Sequence, residues 1–380
     1  MNFGFTEEQE MIRSQAVEFL TQECPIALVR ESLNDEDGFS RDLWTKISTL
    51  GWVSLAFPEK YHGAGLTFVD LTILLEQMGR ALFPGAFFST VLLGGLTILE
   101  AGSSDQKSKW LTAIADGKLK ATLAHIDAEG ESGAGTSSGV TAKRSGDGYV
   151  IDGTKLFVPD AHSADLILCT VCADASSVPH QGASIFAVDR STAGLNVLAL
   201  KTMDQTRRLY EVTFDQVHVH EDRVLGKIGQ ASPAIEKVFC KATIGRCAEM
   251  VGGAQRMLDM CVDYAKERMQ FGRPIGSFQA IQHKCADMLL LIESARSAAY
   301  AAACAASEDS TDALLLASVA KAYTNDASRF VAGEAIQIHG GMGFTWEHDA
   351  HLYFKRAKAD EFSFGDATYH RARVAELIGL

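Results

Sequence analysis

Six residues near the end of the chain have the types and spacing to hold a phosphorylated ligand. Arg268 offers a fixed fork of N–H donors that suits a pyrophosphate. Three residues on, Phe271 supplies a ring against which an adenine or ribose can pack. Gln279 and Gln337 add polar orientation, and the pair Gly340-Gly341 lets backbone N–H groups approach a ligand without a Cβ clash. Taken singly, each has a plainer reading: Arg268 as a solvated helix-end charge, Gly340-Gly341 as a helix C-cap.

Groups able to move a proton are scarcer. Asp366 stands just before the apparent last helix, 367–377, where it is either a general base or that helix's N-cap. Glu249 lies on an apparent long helix. His339 and His348 invite a metal reading, but their spacing matches no common zinc pattern, and no metal site is expected. Cys169 and Cys172 form one CxxC within a run that reads as a buried strand, with no second CxxC, so a structural role is expected for both.

The elements that must position these groups change character twice along the 380 residues. From about Thr6 to Lys118 the pattern is helical. Thr6 and Gln9 form a capping box, and Leu71, Leu74, Leu75, Met78 and Leu82 fall near 3.6-residue spacing. From about Lys120 to Val219, short runs rich in β-branched and aromatic residues alternate with turn signals such as Gly146-Asp147-Gly148, as in a compact β domain. After Val224 three long helical stretches follow, 231–268, 277–307 and 309–339, as in an antiparallel bundle. The expected fold class is α+β: an N-terminal all-α domain over 1–118, a middle β-barrel or sandwich over 119–223, and a C-terminal four-helix bundle over 224–380.

Net charge −13 without a basic block excludes nucleic acid as a natural partner. The longest apolar stretch considered, 91–99, is too short for a membrane span and is interrupted by Gly94 and Gly95. The N-terminus shows no basic and apolar secretory pattern, and the eight cysteines are scattered, so a reduced, cytoplasmic location is expected.

Two segments and the layout itself resemble the flavin-dependent acyl-CoA dehydrogenases. The segments are Glu267-Arg268-Met269-Gln270-Phe271-Gly272-Arg273-Pro274 with Phe278-Gln279-Ala280-Ile281-Gln282, and Gln337-Ile338-His339-Gly340-Gly341-Met342-Gly343. The resemblance implies FAD as cofactor, its ADP part held by Arg268, Phe271, Gln279, Gln337, Gly340 and Gly341 across a dimer interface. It implies an acyl-CoA substrate, α,β-dehydrogenation, and electron-transfer flavoprotein as acceptor.

Against that family pattern three features are missing. The loop glutamate that serves as base in much of the family corresponds to Phe364, aligned on Ala357-Lys358 and Gly365. The alternative glutamate position, on the first long bundle helix, corresponds to Ala242, and Glu249 lies seven residues on, about 10 Å further along a helix. On the flavin-ring side, His125-Ile126-Asp127-Ala128-Glu129 has Ile126 where a hydroxyl is expected, and Phe157-Val158-Pro159 ends in a proline that offers neither hydroxyl nor N–H. The resemblance is therefore to the base-lacking subunit of heteromeric bacterial dehydrogenases, α2β2 heterotetramers acting on bulky steroid side chains or dicarboxylic acyl-CoAs. Two other readings stay open: a self-sufficient homotetramer with Asp366 as base, and a scaffold or binding subunit that holds no flavin.

Overall fold

A computed structural model describes residues 4–35, 38–127, 139–173 and 182–380. Its N-terminal helices are α1 (Glu7–Glu23), α2 (Ile26–Ser32), α3 (Arg41–Thr49), α4 (Phe68–Arg80), α5 (Leu96–Ala101, continuing a π-helical turn Ser89–Gly95) and α6 (Ser104–Ala115). The capping box read from the sequence is present: Gln9 N–H donates to Thr6 Oγ1 at 3.2 Å, and Thr6 N–H to Gln9 Oε1 at 3.1 Å. Two further boxes start α4 and α6.

Among the described residues nine strands follow: β1 (Ala121–Ala124), β2 (Ile126–Asp127), β3 (Val140–Ser145), β4 (Gly148–Pro159), β5 (Leu166–Ala173), β6 (Ala183–Asp189), β7 (Leu195–Ala199), β8 (Leu209–His220) and β9 (Val224–Leu225). They join one mixed sheet in the order β7-β8-β4-β3-β5-β6-β9, with β1 parallel to β5 and β2 antiparallel to β4. The long β4–β8 ladder slips in register at Ile151/Gly153 and at Lys155/Val158. Such bulges bend a strand and re-aim side chains, and the second leaves Phe157 in the left-handed region, φ 55°, and half exposed. Cys169 lies in the buried core of this sheet, where burial pushes its thiol up to about 12; it stays protonated, in keeping with a structural cysteine. The side chain of Cys172 lies outside what is described.

The C-terminal elements are α7 (Ser232–Glu267), the hairpin β10 (Met269–Gln270) and β11 (Arg273–Pro274), α8 (Gln279–Ser307), α9 (Ala313–His339), α10 (Ala350–Phe362) and α11 (Ala367–Leu377). The three long helices lie within four residues of the sequence expectation at every end. α8 is the one described helix long and apolar enough to cross a membrane by length and composition. Its alanines account for this: Ala295, Ala299, Ala302, Ala303, Ala305 and Ala306 are buried in the bundle, where they permit close packing.

The chain divides into two compact units that cut across its order: residues 1–31, 67–83 and 240–380 form the helical unit, and 32–66 and 84–239 the unit built around the sheet. Helix α4 joins the bundle because its backbone meets that of α7. A Cβ at Gly79 would run into the Glu249 carbonyl, and one at Gly252 into the Glu76 carbonyl. Only glycine at these two positions permits the crossing.

Candidate active site

Helix α7 ends where Arg268 N–H donates to Tyr264 O at 2.8 Å. The hairpin that follows turns through Phe271 and Gly272, φ 53° and 77°. Two consecutive positive φ values match the tight hairpin turn whose hand suits the strand twist. A phenylalanine there is unusual, and the turn lifts its ring out to 89% exposure. Phe278 stands edge-on to it at 6.0 Å and carries the Arg273 guanidinium 4.2 Å over its own face. Gln279 opens α8 beside it and is exposed.

Helix α9 runs back to the same end of the bundle. His339 is buried there, 4.7 Å from the Tyr264 ring and 4.5 Å from the His348 ring. Its Nδ1 lies 2.7 Å from Ala335 O, and because a carbonyl only accepts, that nitrogen carries the proton. His348 Nδ1 accepts from Ala350 N–H at 3.1 Å. Both histidines thus serve local structure, and among the described residues no group of three metal-ligating side chains forms. Beyond His339, Gly340 takes φ 57°, ψ −138°, a conformation reserved for glycine, and a Cβ at Gly340 or Gly341 would meet open space. Arg268, Phe271, Gln279, Gln337, Gly340 and Gly341 therefore share one end of the helical unit and all face outward. Arg268 makes no side-chain bond among the described residues. Unengaged donors, an uncovered ring and open glycine backbone are the chemistry that the ADP half of FAD needs.

The loop between α10 and α11 holds Phe364 in the left-handed region, φ 60°, followed by Gly365 at 103°. Four carbonyls fix this turn. Lys321, fully buried on α9, donates to Asp360 O at 2.8 Å and to Asn325 Oδ1 at 2.5 Å. Asn325 donates to Glu361 O at 3.1 Å and to Gly365 O at 3.5 Å. His370 Nε2 lies 2.9 Å from Phe364 O. Burial pushes His370 down to about 4, so it is neutral at pH 7 and donates through Nε2. Burial likewise lowers Lys321 to about 8.

The Phe364 ring lies 5.8 Å from the Arg246 guanidinium. Arg246 is itself buried and bridges two carboxylates, Glu249 Oε2 at 2.7 Å and Asp360 Oδ1 at 3.2 Å. Glu249 is held in that ion pair, and Ala242 is fully buried in α7. Asp366 is the N-cap of α11: Oδ1 accepts from Tyr369 N–H at 2.8 Å. As a candidate base it is thus committed to a helix end. Arg246, Asp360, Lys321, Asn325 and His370 were not singled out from sequence. The available signal was a charge inside an apolar helical run, as at Arg246 and Lys321.

In the sheet unit, the segment 125–127 is tied down from within. Lys155 Nζ donates to His125 O at 3.0 Å and pairs with Asp127 Oδ1 at 2.7 Å, both side chains being almost wholly buried. The His125 ring packs on Phe239 at 4.5 Å, and burial, reinforced by the Lys155 charge, pushes it down to about 4. Ile126 pairs with Leu156 across the sheet, and Pro159 O accepts from Thr122 Oγ1 at 2.7 Å. Among the described residues of these two segments, Phe157 is the exposed one. This region offers an aromatic surface but no hydroxyl at 126 and no N–H at 159; Ala128 and Glu129 lie outside the described residues. The fit to FAD is therefore good at the bundle end and poor here.

This three-part layout and the bundle end define a class, and family models confirm it: acyl-CoA dehydrogenase N-terminal domain over residues 6–118, middle domain over 127–217 and C-terminal domain over 233–379. The chain belongs to the acyl-CoA dehydrogenase family, FAD-dependent oxidoreductases that act on the CH–CH bond of acyl-CoA thioesters. Among its relatives is acyl-CoA dehydrogenase IpdE2 of Mycobacterium tuberculosis, 31% identical over 92% of this chain and 91% of the relative. The short-chain specific mitochondrial enzyme of Rattus norvegicus is 30% identical over 97% and 89%. A chain of the ChsE4–ChsE5 complex from Mycobacterium tuberculosis superposes with a TM-score of 0.89 at 28% identity, covering 100% of this chain and 99% of the other.

Proposed function

We propose that this chain is the base-lacking subunit of a cytoplasmic, heteromeric acyl-CoA dehydrogenase, an α2β2 assembly in which it lends the ADP-binding half of an FAD site to a partner. Phe364 carries this reading. It stands where much of the family has its catalytic glutamate, and a phenyl ring cannot accept the α-proton of a thioester. The neighbouring carboxylates do not replace it, because Glu249 and Asp360 face Arg246, and Asp366 caps a helix.

The FAD would supply the hydride acceptor for the β-carbon. This chain's own residues do the rest of what its end of the site requires: Arg268 binds phosphate oxygens, Phe271 stacks on the adenosine, Gln279 and Gln337 orient it, and Gly340-Gly341 bring backbone donors close. The partner contributes the isoalloxazine pocket, the base and most of the acyl cavity, with electron-transfer flavoprotein taking the electrons. A closed acyl site in one of two chains leaves room in the other for a bulky acyl group, such as a steroid side chain. The named two-chain ChsE4–ChsE5 complex supports the heteromeric arrangement.

The test is to purify the chain alone and together with the product of a neighbouring dehydrogenase-like gene. Flavin absorbance and acyl-CoA turnover are expected only in the co-purified protein. Full flavin content with full turnover in the chain alone would sink the proposal.

A further inference from the structure

The helical unit carries a cleft of about 400 Å³ that shares no lining residue with the bundle end or the 364 loop. Its walls come from α1, α4, α7 and α8. Three guanidiniums line it, Arg13, Arg80 and Arg296, against one carboxylate, Glu76. Glu76 is engaged on both oxygens: Oε1 accepts from Arg296 Nε at 3.1 Å, and Oε2 from the Tyr300 hydroxyl at 2.9 Å. Arg296 also holds Gln255 Oε1 at 3.0 Å and Glu293.

The other two arginines keep donors in reserve. Arg80 makes one ion pair, Nη1 to Asp259 Oδ2 at 2.6 Å, and a guanidinium has about five N–H donors. Arg13, half exposed, pairs only with Glu10, through Nε and Nη2. Gln77 lies one helical turn from Arg80 on the same face of α4. It is 7% exposed, lines the cleft, and makes no side-chain hydrogen bond among the described residues. Its amide opens into the cleft, so its donors and acceptor are available to an occupant. Phe5, edge-on to Tyr300 at 5.1 Å, and Val17 add an apolar wall.

We infer that this cleft is a second ligand site, for a small organic carboxylate with a short apolar chain. The carboxylate accepts from the unengaged N–H groups of Arg80 and Arg13 and from Gln77 Nε2, and the chain lies on Phe5 and Val17. A carboxylate matches the planar fork of an arginine, and the apolar wall distinguishes this site from one for a bare inorganic anion. The inference is independent of the heteromeric reading.

Calorimetric titration of the protein as purified, with hexanoate and separately with inorganic phosphate, tests it. Hexanoate is expected to bind saturably, one per chain, and phosphate far more weakly. Gln77→Leu, close in shape and free of polar atoms, is expected to weaken hexanoate about tenfold, the loss of one good hydrogen bond. Arg80→Lys, which keeps the charge facing Asp259 but removes the fork, is expected to weaken it similarly. Acyl-CoA turnover and melting temperature of Gln77→Leu should match the parent, so a binding loss is not an unfolding loss. No saturable hexanoate binding, equal affinity for phosphate, or unchanged affinity in both variants would each overturn the assignment.

Discussion

Two regions of this molecule carry the positions proposed to face the cofactor, and they treat their polar groups in opposite ways. At the bundle end, Arg268, Gln279 and Gln337 are exposed and point outward beside an uncovered phenyl ring. In the sheet unit, the 125–127 segment is drawn inward, its carboxylate and its main-chain carbonyl both held by Lys155. Binding chemistry needs donors that the fold has left unengaged, whereas a buried ion pair is structural chemistry. On the proposed reading, the contrast separates a half-site kept for a ligand from a half-site converted to scaffold.

The contrast can be broken most severely at Lys155. Lys155→Met leaves the Asp127 carboxylate buried and unpaired, so chemical denaturation is expected to show a loss of about 3–5 kcal/mol. A change within about 0.5 kcal/mol would mean the segment is not tied down. Acid provides the next test. His125 and His370 are each lowered from the ordinary 6.5 to about 4, so as pH falls the unfolded chain takes up those protons first. Stability from each is whole above pH 6.5 and is lost between 6.5 and 4, up to about 3 kcal/mol apiece. His125→Gln and His370→Gln should flatten the melting-temperature profile in that window.

Smaller effects sharpen the other side. Arg268→Ala removes an exposed side chain with no internal bond, so unfolding stability should hold. Flavin retention in the assembled enzyme should fall about 10- to 100-fold, as for a lost charge-assisted hydrogen bond; unchanged retention would remove Arg268 from the site. The smallest effect is expected at Asp366. Asn caps a helix about as well as Asp, so Asp366→Asn should leave both melting temperature and turnover unchanged. Abolished turnover with flavin still bound would restore Asp366 as the base and end the partner-base reading.

Much of this was legible in the sequence because it is local. The long helices follow from periodicity, and the Thr6–Gln9 box and the Asp366 cap are made by residues three apart. That Phe364 occupies the base position of much of the family is part of the proposal and rests on alignment to nearby residues. What could not be read is set by distant partners. Nothing near Lys155 announces Asp127, and nothing near Arg246 announces Asp360, because only the fold brings them together. Phe157, Phe271 and Phe364 all adopt positive φ, against the preference of bulky residues, so local rules point away from the turns they make. Nor does periodicity reveal that α4 belongs with the bundle; that depends on Gly79 meeting α7 backbone to backbone.

The glycine crossing of α4 and α7 also bears on how the chain reaches its native state. The helical unit needs residues before 84 and after 239 at once, with residues 84–239 of the sheet unit lying between them in the chain. Its tightest contact cannot form until that intervening stretch has been synthesised and its ends have met, and such non-local closure slows folding. During synthesis, α4 must wait with an apolar face and a bare glycine groove until α7 leaves the ribosome. Cutting the gene at the boundary near 118 would strand α4 on the wrong fragment, so the two halves should be recoverable only by co-expression and not by folding each alone.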